Sequence, residues 1–69
     1  MNISNMNAQE LYELGISLRQ EERFGEAINA FRMAAAAEDA TEELIKKSLA
    51  SVELIQEIKG FVNKDLMNP

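Results

Sequence analysis

The side chains that could do chemistry are few. The chain has no His and no Cys, which removes Cys–His dyads, His-based triads and thiolate or imidazole zinc sites. No Gly-rich phosphate loop occurs, so a nucleotide fold has no fingerprint here either. What remains is three adjacent carboxylate pairs: Glu21/Glu22, Glu38/Asp39 and Glu42/Glu43. Paired carboxylates can serve as general acid and base when a dry pocket separates their pKa values. Each of these pairs falls instead near an expected helix end or turn. Acids at a helix start complement the macrodipole, so solvated charge is the reading we adopt. Neither catalysis nor any cofactor or metal is expected.

The frame that must position side chains is small. Sixty-nine residues is one domain at most, and a chain of this size hides only about 60% of the surface it exposes when unfolded. Small scaffolds usually supplement the core with disulfides, metal or oligomerisation. Without Cys and His the first two routes are nearly closed, leaving well-packed helices, self-association, or both. Apolar residues make up 46% and charged residues 28%, with one Pro and three Gly. Few breakers and many Ala, Leu and Glu favour helix over strand.

The net charge is −5. Within the first 39 residues, seven acids (Glu10, Glu13, Glu21, Glu22, Glu26, Glu38, Asp39) face three Arg (Arg19, Arg23, Arg32). A nucleic-acid face needs clustered basic residues, so neither nucleic acid nor an anionic membrane surface is an expected partner. No apolar run reaches the roughly 20 residues a membrane span needs. Residues 1–5 have neither a basic start nor an apolar core segment, so cytoplasm is the expected location.

Periodicity predicts an all-α chain of three helices. Asn7 as N-cap with Glu10 three residues on forms a capping box, and Met6 can staple to Leu11. Ala8, Leu11, Leu14, Gly15 and Leu18 then recur on one face, giving a first helix over about 8–21. A tight turn at 22–24 precedes a second helix over 25–38, with Ala27, Phe31, Ala34 and Ala35 on one side and Ile28 beside them. Asp39 is expected to break the chain and cap the third helix, with Glu42 three residues later; one continuous helix through 36–43 is the alternative. The third helix runs from about 40 to 65. Leu44, Ile45, Leu49, Val52, Ile55, Ile58 and Val62 form its stripe, widened by Leu54 and Phe61.

Leu14-Gly15 and Leu18 on the first helix, followed by Ala27, Phe31 and Ala34 on the second, resemble a tetratricopeptide repeat. Leu11 stands where that family often has Trp, and Phe24 where it has a turn aromatic. The small Gly15 and Ala27 suit the closest crossing of the two helices, while Leu14, Leu18 and Phe31 fill the space beside it. The resemblance covers about half the chain. It implies one antiparallel hairpin over 8–39, with residues 40–66 as a long capping helix in a single domain. The departures are specific. Asp39 replaces the closing Pro, and Glu22 stands where Gly is common. No second repeat follows: Ser48-Leu49 stand for Leu-Gly, and Phe61 and Asp65 for Ala and Phe. The end, Phe61 to Pro69, is similar to the C-termini of some small bacterial proteins of this repeat class.

The resemblance implies that Gln9, Tyr12, Ile16 and Arg19 face a concave peptide groove. The family's clamp for peptide carboxylates uses Lys and Asn there, so an acidic C-terminal tail is disfavoured as ligand. The other reading packs Tyr12 and Ile16 on a neighbouring element. The third helix is too long and too apolar for a 14-residue partner helix to cover. A homodimer through Val52, Leu54, Ile55, Ile58, Phe61, Val62 and Leu66 is therefore expected, two-fold in symmetry, with exchange of the third helix between chains as a variant. In a monomer, Phe61 and Leu66 would instead fold back on Ile3 and Met6. The expected function is thus a non-catalytic protein–protein interaction module that binds a protein or peptide and self-associates. The alternative is a structural self-assembly unit without a peptide ligand.

Overall fold

The computed structural model describes residues 6–59, with side chains as far as Glu57. They form three helices, α1 (Ala8–Gln20), α2 (Phe24–Ala36) and α3 (Glu42–Lys59), and no strand among the described residues. The all-α expectation holds: α1 and α2 pack closely as a hairpin, and α3 lies mainly on α2. The extension of α3 to residue 65 and the candidates Phe61, Val62 and Leu66 fall outside the described residues, as does the side chain of Ile58.

Local chemistry sets the start of α1. The Asn7 side chain accepts from the Glu10 N–H at 2.8 Å, and the Glu10 carboxylate accepts from the Asn7 N–H at 3.0 Å. This is the expected capping box, which satisfies two otherwise orphaned donors. The end of α1 is a Schellman closure. The Arg23 N–H donates to the Leu18 carbonyl and the Glu22 N–H to the Arg19 carbonyl, both at 2.9 Å. The closure puts Glu22 at φ 64°, the left-handed region that glycine enters most easily. The next helix starts one residue earlier than expected, because Phe24 joins it rather than the turn.

At its far end α2 stops at Ala36, two residues short of expectation, where Ala37 turns to extended backbone (ψ 146°). The break near Asp39 exists, but Asp39 does not cap α3. Thr41 does so, its Oγ1 accepting the Leu44 N–H at 3.1 Å. Asp39 reaches back across the fold, and its two carboxylate oxygens accept the Ala8 N–H at 3.0 and 3.3 Å. A carboxylate at the start of α1 meets a free N–H and the positive end of the helix dipole. Competition for Asp39 was therefore decided by tertiary proximity.

The core is a cluster of Ala27, Ile28, Phe31, Val52 and Ile55, with Tyr12, Ile16, Leu18 and Phe24 partly buried against it. Phe31 is completely buried. Its ring lies against Gly15 and 5.6 Å from the Tyr12 ring centroid, tilted by 58°. Ala27, Ala30 and Ala34 are buried along α2, and their small size lets neighbouring backbones approach. On α3 the inward stripe is Leu44, Ser48, Val52 and Ile55. Leu49, expected within that stripe, is 46% exposed. Ser48, one position earlier, is buried instead, because at about 100° per residue it falls inside the arc of Leu44, Val52 and Ile55 and Leu49 falls outside it. Its Oγ is buried with no hydrogen-bond partner.

Candidate interaction surfaces

Three surfaces merit description, beginning with the expected peptide groove on α1. Gln9 is exposed, and its Nε2 donates to Glu13 Oε2 at 3.1 Å. Tyr12 and Ile16 are half-buried and pack on the chain's own core. Lys47 of α3 brings its Nζ within 5.2 Å of the Tyr12 ring centroid, a cation–π distance. Arg19 is half-buried one turn beyond Ile16. The four residues do share one side of α1, but α3 covers part of it, and Tyr12 is engaged from both α2 and α3.

The residues expected to pack the hairpin divide by depth. Leu11, Gly15, Ala27, Phe31 and Ala34 are buried, while Leu14, Leu18 and Phe24 are half-buried. Leu14 and Leu18 owe their partial exposure to the second surface, a cleft of about 350 Å³ between α1 and α2. Ala30 and Met33 complete its apolar lining, and Arg23, Glu26 and Asn29 form its polar edge; among the described residues none of α3 contributes. Arg23 is held across that edge. Its guanidinium meets Glu26 at 2.6 and 3.1 Å and Glu21 at 3.5 Å. The hydrogen bond to Glu26, chiefly, raises its pKa above the ordinary arginine value. The sequence reading missed this cleft. Nothing in the helical period marks a gap between two packed helices.

The third surface is the outer side of α3. Two of its expected interface residues, Val52 at 5% and Ile55 at 2% exposure, belong to the core of a single chain. They are not available to a second one while α3 is seated. Leu54 is 48% exposed, and Leu49 joins it. The two are about 140° apart at about 100° per residue, so they flank the buried stripe on opposite sides and do not form one patch. A signal for Leu49 was present in the sequence: the apolar arc of this helix is wider than one partner helix can cover.

Among the described residues, no group of three or more Asp or Glu side chains is placed to hold a metal ion. No helix there is long and apolar enough to cross a membrane. No protein-family model matches the chain, nor does any curated protein or solved structure.

Proposed function

We propose that this chain is a non-catalytic protein–protein interaction module of tetratricopeptide type, one hairpin closed by a capping helix, and that it self-associates. The observation that carries self-association is the exposure of Leu49 and Leu54, nearly half of each side chain, on both flanks of α3. Covering the exposed half of one such residue is worth about 1 kcal/mol, half the gain of full burial, and that counts in a domain this small. Support for the family reading is the register of small against large: Gly15 beneath the Phe31 ring, with Ala27 and Ala34 buried on the same helix as Phe31.

Light scattering coupled to size exclusion, run across a concentration series, tests the proposal. The mass should rise from 7.7 kDa toward twice that value. Leu49→Glu together with Leu54→Glu should return it to the monomer without loss of helicity. A 7.7 kDa particle at every concentration refutes self-association.

One observation favours the second reading, a structural unit with no peptide ligand. Tyr12 and Ile16, the apolar centre of the expected groove, are half-buried against the chain's own core. Titration with a library of short peptides separates the two. Binding that is lost on changing Gln9 and Arg19 supports the module, and the absence of binding supports the structural unit.

A further inference from the structure

We propose that Asp39 is a latch that keeps α3 on its own hairpin, and that α3 is an element one copy of this chain can exchange with another. The inference goes beyond the self-association reading: an exchanged dimer joins two chains through the buried stripe of α3 rather than through Leu49 and Leu54, so the two tests are separable. The grip of α3 on the hairpin is side-chain packing: Leu44, Val52 and Ile55 are buried, and Lys47 stands over Tyr12. Among the described residues no ion pair joins α3 to α1 or α2. An α3 from a second copy can make every one of these contacts equally well, because none depends on how α3 is connected to α2. The same holds for the Thr41 cap, which travels with α3.

The connection itself is different. Residues 37–41 turn back on themselves, with the Ala40 N–H donating to the Ala37 carbonyl at 3.1 Å. Asp39 sits inside that turn and reaches Ala8 on α1. Straightening the connection to carry α3 to a second hairpin opens the turn and lifts Asp39 from Ala8. The Asp39–Ala8 bond therefore belongs to the closed chain alone, and it sets the balance between closed and exchanged forms. Exchange of an identical element is a low-cost route to a dimer, and the hinge connection is where substitutions control it.

The test compares dimer dissociation constants by light scattering for the wild type, Asp39→Ala, Asp39→Asn and Asn7→Ala. A lost capping bond corresponds to about fivefold per chain, and a dimer of exchanged chains lacks it twice. Asp39→Ala should thus lower the dissociation constant about 25-fold relative to Asn7→Ala. Asn7 caps α1 in both forms, so Asn7→Ala should lower the melting temperature and leave the monomer–dimer balance unchanged. Asp39→Asn keeps an accepting oxygen and should lie near wild type. A short Gly-Ser insertion after Ala40 in the Asp39→Ala chain lets α3 fold back and should restore the monomer.

Equal dissociation constants for wild type and Asp39→Ala overturn the latch, as does a monomer in both. In the first case a wild-type dimer leaves the self-association reading standing. A monomeric wild type beside a dimeric Asp39→Ala supports the latch and ends that reading for the wild type. A shift in Asn7→Ala as large as in Asp39→Ala, or a dimer indifferent to the insertion, overturns exchange.

Discussion

The ring of Phe31 occupies the space a side chain on Gly15 would need. A Cβ built at Gly15 would stand 2.7 Å from ring Cδ1 and Cε1 and 2.9 Å from Cζ. Those atoms belong to a fully buried ring in the middle of the core, not to the loose end of a flexible side chain. Relief requires the ring or a helix axis to move, and the ring shares one buried cluster with Ile28, Val52 and Ile55.

Gly15→Ala is the direct consequence. Alanine is the better helix former by about 1 kcal/mol, yet overpacking a tight core costs about 1–3 kcal/mol. We expect net destabilisation, read as a lower urea midpoint at unchanged slope. A midpoint that rises would show that the hairpin can open by a few tenths of an ångström at no cost.

Glu22 carries the opposite prediction. It sits at φ 64° in the closure of α1, where a side chain bears a left-handed penalty of about 1–2 kcal/mol that glycine escapes. Part of that gain is lost to the greater freedom of glycine in the unfolded chain. Glu22→Gly should stabilise by roughly 0.5–1 kcal/mol. The thermal midpoint should then rise by several degrees, on the scale of about 4–8 °C per kcal/mol for a domain of 60–100 residues.

Ser48 holds a buried hydroxyl without a partner. Leaving such a group unsatisfied costs about 1–3 kcal/mol, and alanine fits the same space. Ser48→Ala should therefore stabilise by about 1 kcal/mol. Ser48→Leu, which would supply the side chain a second repeat calls for, should destabilise by overfilling a fully buried position. Chemical denaturation of both variants decides the matter, and a destabilised Ser48→Ala would contradict the account.

Tyr12 joins all three helices, resting on Phe31 from α1 while Lys47 of α3 stands over its ring. Tyr12→Ala should lower stability by about 1–3 kcal/mol, below the range for a fully buried aromatic because the side chain is only partly buried. Lys47→Ala should cost no more than about 1 kcal/mol. A double-mutant cycle between the two reads the contact itself. An unchanged melting curve for Tyr12→Ala would mean that its side chain is free for a ligand.

How far the chain could be read in advance depended on the range of each interaction. The start of α1 was legible because Asn7 and Glu10 settle it between themselves, three residues apart. The number of helices and the identity of Ala27, Ile28, Phe31 and Ala34 as a packed face were legible because helical period reports burial. The turn between α1 and α2 was legible as a turn. That Glu22 would take the left-handed position, and that Phe24 would enter the helix, follows from how α1 closes onto its own last carbonyls.

The sequence by itself determined where helices begin and which arcs of them are apolar, since these rest on neighbours within about one helical turn. Tertiary structure decided the choices among near-equals. Asp39 could cap α3 three residues away or α1 across 31 residues, and packing brought Ala8 within reach while Thr41 stood ready for α3. On α3, packing against α2 chose the arc of Leu44, Ser48, Val52 and Ile55, and Leu49, one position on, falls outside it. In each case the deciding relation is one between elements, set by how their side chains fill space together rather than by residues adjacent in the chain.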